Sequence, residues 1–478
     1  MASVLTQMRI LSPPRMCSEK KESVGRIPGS YGWPMVGEIS DRLDYFWFQG
    51  PEKFFKTRIE KYKSTVFRTN VPPSFPFWGG VNPKVVAVLG CDSFSHLFDL
   101  EIVQKNNLLI GDFMPSTAFT GGITPAVYSD PSNPQHAKVK KFALDILKRS
   151  SKVWMTELVY NFDRLWDEVE SDISEKGSCS YFFSLQQCLF CFLTKSLTGA
   201  DPANDPQIAK SGYLMLDLWL ALQLLPIVPI LVAQPLVEIF LHSFPYPFFL
   251  VSGYYNNLVN FIKTQAKDVL LRGQTDFGLT ESETIHNLLF ILGFNAFGGF
   301  SVFIPALLNT IATDTTGLQQ KLCKEVRKTT SLTFDSLNHM PLLQSVVYET
   351  LRLNPPVPLQ YARARKDFQL TSHGSVFQVK KGELLCGYQP LAMKDPKIFH
   401  DPETFIPDRF MGSGKDLLNY LYWSNGPQTC SPSESNKQCA GKDYVTITAF
   451  LIVAHLFRRY DSITGTSTSI TALQKPKQ

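Results

Sequence analysis

A mainly helical fold with a small sheet region is what this 478-residue sequence predicts, on three observations. Long stretches carry apolar residues at the 3.6-residue helical period, strand-like alternation is confined to short runs, and no low-complexity tract or long linker divides the chain. Helical periodicity runs over residues 142–169, 185–197, 254–271, 281–311 and 341–353. Alternation marks strands at 66–70, 84–89 and 368–385, the last punctuated by His373-Gly374 and Lys381-Gly382 in the manner of a hairpin. With 44% hydrophobic residues, such a chain buries a large core, as one big domain or two tightly fused ones.

Composition narrows the function classes. The 47 basic and 42 acidic residues leave a net charge of +5, too near balance to imply a nucleic-acid partner. The 36 Phe suit a cavity for long apolar molecules, although a filled core needs them equally. Nine cysteines, an odd number without regular spacing, do not make a disulfide framework and fit a reducing compartment. Cys188 and Cys191 form a CxxC inside an apolar helical run with no second ligand pair, which reads as buried structural thiols.

The first 25 residues carry Arg9, Arg15, Lys20 and Lys21, no acid before Glu19 and no apolar h-region. They read either as a short organelle-targeting leader or as a disordered terminus, with a single domain expected over 26–478. Residues 288–308 are long and apolar enough to suggest a membrane span, but Asn295, Gly298, Gly299, Ser301 and Pro305 fit a buried helix passing a cofactor better. The apolar stretch 214–250 is broken by Pro226, Pro229, Pro235, Pro245 and Pro247. It cannot span regularly, and reads as a channel lid or as a part that dips into a membrane surface.

The chemistry concentrates near the C-terminus. In Asn436-Lys437-Gln438-Cys439-Ala440-Gly441-Lys442-Asp443 a cysteine precedes a small residue, a glycine and a helical pattern, the arrangement by which a thiolate holds haem iron. Lys437, Lys442 and the positive helix end are expected to keep the sulfur ionised, and Gly441 to let the backbone pass close under a flat macrocycle. A sulfur axial ligand favours splitting an oxygen–oxygen bond. Upstream, Glu349-Thr350-Leu351-Arg352 places an acid and a base on one helical face, and Pro407-Asp408-Arg409-Phe410 offers a second arginine. Glu349, Arg352 and Arg409 are expected to form a buried three-membered ionic lock.

These motifs, in this order, resemble the cytochrome P450 family. The resemblance implies a triangular, mostly α-helical haem domain with a small β-rich region, haem b as cofactor and Cys439 as its proximal ligand. Two departures follow. The family's FxxGxRxCxG loop is interrupted here by residues 427–438. The acid and threonine that manage protons during dioxygen activation are missing from Phe294-Asn295-Ala296-Phe297-Gly298-Gly299-Phe300-Ser301, which disfavours a reductase-coupled monooxygenase.

Both departures resemble the plant enzymes that rearrange fatty acid hydroperoxides, namely allene oxide synthases, hydroperoxide lyases and divinyl ether synthases. The likeness extends to Ile27-Pro28-Gly29-Ser30-Tyr31-Gly32, Met114-Pro115-Ser116, Pro355-Pro356-Val357-Pro358 and Gly387-Tyr388-Gln389-Pro390. It implies a substrate that already contains the oxygen–oxygen bond, so neither dioxygen nor a reductase partner is needed. It makes Asn295 the group that hydrogen-bonds the hydroperoxide, and Lys105, His136, Lys140 and Lys437 haem-binding residues, the alternative for the cations being a solvated basic face.

Where allene oxide synthases carry a Phe before Met-Pro-Ser, this chain has Leu109, and where they carry a Ser it has Val127. An aliphatic residue offers no π-face to a developing cation, so oxygen rebound to carbon should win. Leu109, Val127 and Phe297 are accordingly expected to touch substrate. The wider text is most similar to lyases acting on 13-hydroperoxides of linolenic and linoleic acid, giving a six-carbon aldehyde and a twelve-carbon oxo-acid in the chloroplast, with peripheral membrane association. Allene oxide or divinyl ether synthesis remains the alternative among enzymes, and a non-catalytic haem lipid sensor the alternative from another class.

Overall fold

The helix at residues Glu281–Ala312 is the longest among the described residues, and helices from several distant parts of the chain pack against it. The computed structural model describes residues 24–71, 82–224 and 246–476. The basic N-terminal segment through Ser23 and the proline-rich part of the 214–250 stretch lie outside the described residues. The central helix starts on a capping box, Thr280 accepting from the Glu283 amide while the Glu283 carboxylate accepts from the Thr280 amide. It is the one described helix long and apolar enough to cross a membrane, but 61% of its apolar window is buried inside the protein, as the polar and helix-weakening residues along it predict.

Two expected helices are each divided. The 142–169 stretch belongs to Pro134–Ser150 and Trp154–Lys176. The first of these begins earlier than periodicity suggests because Asn133 caps it and Pro134 occupies its first turn. Residues 254–271 belong to Ser252–Gln265 and Lys267–Thr275, separated at Ala266. The apolar repeat continues across both breaks because both halves pack on the same core. Helices Phe182–Thr198 and Pro341–Leu353 match the expectation closely, and the CxxC thiols lie in the first, Cys188 buried and Cys191 partly so.

The sheet is small and assembled from distant segments. Strands β1 (Val66–Asn70), β2 (Lys84–Val88), β3 (Val103–Gln104), β4 (Leu359–Ala364) and β7 (Leu384–Tyr388) form one sheet in the order β1-β2-β7-β4-β3. Strand β2 pairs parallel to β7, and the other pairs are antiparallel. The expected hairpin is β5 (Phe368–Ser372) with β6 (Ser375–Val379), turning on His373 and Gly374, both at positive φ. Strands β8 (Ser462–Gly465) and β9 (Ile470–Gln474) form a third, two-stranded sheet.

Glu349, Arg352 and Arg409 are buried together. Arg352 donates to both Glu349 carboxylate oxygens at 2.7 and 2.8 Å, and Arg409 Nε donates to Oε1 at 2.9 Å. The guanidinium groups have further acceptors in the carbonyls of Met393, Pro402, Thr404, His400 and Asp401. One carboxylate therefore fixes the helix Pro341–Leu353 to the loop that leads into the Cys439 segment. Removing the acid would leave two guanidinium groups buried beside backbone alone. Glu349→Ala should lower unfolding free energy by about 3–5 kcal/mol or prevent folding. Lys56→Ala, which loses an exposed pair with Glu403 at 2.8 Å, should change it by about 1 kcal/mol at most. Denaturant unfolding of both variants measures the contrast.

Candidate active site

Cys439 sits at the start of the helix Lys442–Arg459, whose middle is almost wholly buried. Its amide donates to the Ser424 carbonyl at 2.8 Å, and its own carbonyl accepts from the Lys442 amide at 3.1 Å, which sets the sulfur at the positive end of the helix. A Cβ built on Gly441 would lie 3.8 Å from the Cys439 sulfur, so a side chain there would stand beside the thiolate. Burial pushes the thiol pKa up, while the Lys140 charge and the Gly441 amide pull it down. The electropositive neighbour is thus Lys140, not the expected Lys437 or Lys442. Lys442 turns away to the Gln428 carbonyl at 2.7 Å and to Asp443, and Lys437 has other acceptors.

Lys437 Nζ donates to three carbonyls of one short turn, those of Ala126, Val127 and Ser129, at 2.9, 2.8 and 2.9 Å. Lys105 Nζ donates to Asn425 Oδ1 at 2.6 Å, and Asn425 in turn donates to the Lys437 carbonyl at 2.8 Å. Lys140 Nζ donates to the Gln438 carbonyl. None of these three lysines, of which Lys105 and Lys140 are buried and Lys437 is partly buried, has a carboxylate partner within ion-pair distance among the described residues. Burial lowers all three pKa values, Lys105 and Lys437 to about 7, each helped by a neighbouring lysine, and Lys140 to about 8. The nearest acid, Asp130, is committed elsewhere: despite burial its pKa falls to about 2 through the Lys105 and Ser132 amides, the Ser132 hydroxyl and Arg365.

Asn295 lies in a π-helical segment, Ile291–Phe297, inside the central helix, where the Gly298 amide reaches back to the Gly293 carbonyl. The wider turn comes where the helix Pro206–Gln223 presses close. A Cβ on Gly293 would meet Leu216 at 2.7 Å, and one on Gly298 would meet Leu220 at 2.6 Å. Asn295 is exposed although Ile291, Leu292, Gly293, Ala296 and Phe297 are buried, and its amide has no hydrogen-bond partner among the described residues. Val302, seven positions on and on the same helix face, is 57% exposed. The accessible face of this otherwise buried helix therefore runs from Asn295 past Gly299, where a built Cβ meets nothing within 4 Å among the described residues.

The other expected site residues are distributed unevenly. Leu109 and Val127 are partly buried and pack at the edge of the main core. Phe297 has no accessible surface, because it lies on the packed side of the π turn while Asn295 lies on the open side. Tyr128, which sequence reading passed over, is buried between these segments.

The chain is similar to proteins of one family over nearly its whole length. Residues 306–473 match the family described as Cytochrome P450. The chain is 59% identical to "Linolenate hydroperoxide lyase, chloroplastic" of Arabidopsis thaliana, over 94% of this chain and 93% of that protein. It is 60% identical to "Fatty acid hydroperoxide lyase, chloroplastic" of Solanum lycopersicum, over 95% and 96%. The chain belongs to the cytochrome P450 family, in its hydroperoxide lyase group. The "Allene oxide synthase, chloroplastic" of Linum usitatissimum is more distant, at 42% identity over 97% of this chain and 88% of that protein. The fold is similar to that of the retinoic acid-bound cyanobacterial CYP120A1, with a TM-score of 0.65 at 18% identity over 92% and 93% of the two chains.

Membership of the P450 family brings a haem iron, and the residues present fit one. Cys439 supplies a sulfur at a helix N-terminus, and the three lysines without acids suit the two carboxylates of the macrocycle. His136 belongs to the same cluster, its Nδ1 lying 3.2 Å from the Glu434 carbonyl. Burial first, then the Lys437 and Lys140 charges, lower its pKa from 6.5 to about 4. Between those pH values the unfolded chain binds a proton that the folded protein does not, so this contribution is complete above about pH 6.5 and is lost as pH falls through about 4. His136→Asn should therefore lose stability less steeply than the parent over that window, by up to about 3 kcal/mol. Unfolding midpoints of both proteins at neutral and acid pH test this.

Proposed function

We propose that this protein cleaves 13-hydroperoxides of linolenic and linoleic acid, giving a six-carbon aldehyde and a twelve-carbon oxo-acid. The observation that carries the reading is the near-full-length identity of 59% and 60% to two hydroperoxide lyases, against 42% to an allene oxide synthase. Residues 26–478 act as one haem-binding unit, with Cys439 as the iron ligand. Lys105, Lys140, Lys437 and His136 hold the carboxylate side of haem b, where the charge of the three lysines finds its counterpart. Haem b, when bound, supplies the one-electron chemistry that splits the oxygen–oxygen bond.

The remaining steps belong to side chains. The Asn295 amide, free on the open face of the central helix, donates a hydrogen bond to the hydroperoxide and orients it. It is neutral and neither gives nor takes a proton, which suits homolysis. Leu109 and Val127 present only alkyl groups, so no ring face or hydroxyl stabilises positive charge at the neighbouring carbon. Splitting the oxygen–oxygen bond leaves an alkoxyl radical, whose oxygen closes on the adjacent double-bond carbon. The carbon–carbon bond between the two carbons now bridged by oxygen breaks, and the unpaired electron left on the original hydroperoxide carbon recombines with the released hydroxyl to give a hemiacetal. Substrate and hemiacetal are isomers, so no dioxygen, reductant or reductase enters the balance.

The protein works in the plastid, in keeping with its relatives named chloroplastic, and associates with membrane at its surface. Supporting that association, Leu218, Phe249 and Leu250, which flank residues 225–245, are 46%, 73% and 50% exposed.

The purified haem-loaded protein should consume 13-hydroperoxylinolenate without reductant and release hexenal; a ketol derived from an allene oxide as the main product would overturn the assignment. Cys439→Ala should abolish the carbon-monoxide absorbance of sulfur-ligated ferrous haem. Leu109→Phe should divert part of the product to allene oxide, read by chromatography of the ketol, and an unchanged aldehyde yield would remove that residue from the partitioning step.

A further inference from the structure

The loop carrying Val127 continues into a buried side chain with an unmet hydrogen bond. Tyr128 is 2% exposed, and its hydroxyl has no hydrogen-bond partner among the described residues. A buried phenol without an acceptor is costly, and most buried hydroxyls find one. Burial drives its pKa far up, so the group remains a protonated donor.

Its position joins three segments that carry proposed site residues. The Tyr128 carbonyl accepts from the Asn107 amide at 2.8 Å, two residues before Leu109. Its ring meets Phe290 and Phe294 edge-on, with centroids 5.6 and 6.4 Å apart, and Phe294 immediately precedes Asn295. The carbonyls on either side of it, those of Val127 and Ser129, are held by Lys437, two residues before Cys439. A phenylalanine would make the same ring contacts, so packing explains the ring and leaves the hydroxyl without a task.

We propose that the Tyr128 hydroxyl is a further binding group of this site, donating a hydrogen bond to an acceptor oxygen of the bound molecule. That oxygen belongs either to the lipid hydroperoxide or to a haem carboxylate. The proposal rests on the haem and hydroperoxide reading above. It predicts a protein whose own fold is no less stable without the hydroxyl but which holds its ligand less well.

Tyr128→Phe in the haem-loaded protein tests it through three measurements: the thermal midpoint without lipid, the rate of haem loss to an excess of an apo-haem acceptor protein, and the spectral titration with 13-hydroxylinolenic acid, the alcohol analogue that cannot be cleaved. If the acceptor is on the lipid, the midpoint should stay level or rise by about 1 °C; if it is a haem carboxylate, the midpoint of the haem-loaded protein should fall together with the faster haem loss. If the acceptor is on the lipid, the analogue should bind roughly fivefold to tenfold more weakly with haem loss unchanged. If it is a haem carboxylate, haem loss should accelerate by a similar factor with analogue affinity unchanged. Unchanged haem loss together with unchanged analogue affinity would overturn the proposal, as would a drop in the midpoint with neither changed. Cleavage of hydroperoxide by the parent protein is read separately, so failure of the Tyr128 assignment is distinguishable from failure of the functional reading.

Discussion

Positive charge buried without acids is the constraint around which the site is organised. Lys105, Lys140 and Lys437 converge on the Cys439 loop, and each directs its ammonium group to carbonyl or amide oxygens instead of carboxylates, Lys105 and Lys140 with one bond apiece and Lys437 with three. Hydrogen bonds to neutral oxygens do not cancel the charge, and burial lowers all three pKa values. Such a cluster is expensive in a protein interior unless an anionic group faces it. The same cations have structural consequences. Lys437 fixes the loop carrying Val127 and Tyr128, and Lys105, through Asn425, joins the segment before Leu109 to the main chain at Lys437.

A second buried network does the opposite kind of work. Around Glu349 a single carboxylate faces two guanidinium groups, and every guanidinium nitrogen that reaches past the carboxylate meets a backbone carbonyl. This network contributes position: it ties the helix Pro341–Leu353 to the loop holding Arg409 and so to the approach to Cys439. Between the two lies the central helix, loosened into a π turn where Gly293 and Gly298 admit the helix Pro206–Gln223 at close range. The extra residue in the turn sets Asn295 on the open face and Phe297 in the core, two positions apart in sequence and opposite in environment.

Much of this was legible beforehand, for physical reasons that differ by element. The helices Phe182–Thr198 and Pro341–Leu353 and the strand Val66–Asn70 follow from periodicity, because one face of each meets the core. The breaks at residues 151–153 and at Ala266 were not, since a repeat of apolar residues records which face is buried and not whether the backbone is continuous. Strands β3 and β4 escaped notice because β3 has two residues and β4 is nearly all buried, leaving no alternation to read. The assignment of Lys442 as a neighbour of the sulfur failed because proximity in sequence did not fix the direction of a long side chain.

The sequence by itself determined the cysteine that precedes a glycine and a helix, the pairing of Glu349 with its arginines, the neutral amide on the central helix and the aliphatic character at residues 109 and 127, since each depends on residue type and order. Tertiary structure alone decided which lysine sits beside Cys439, which side of the π turn is open, and that Tyr128 carries a buried donor among three chain-distant segments. Those are properties of distance and burial between residues far apart in the chain, and the linear order of side chains does not encode them until packing has brought the segments together.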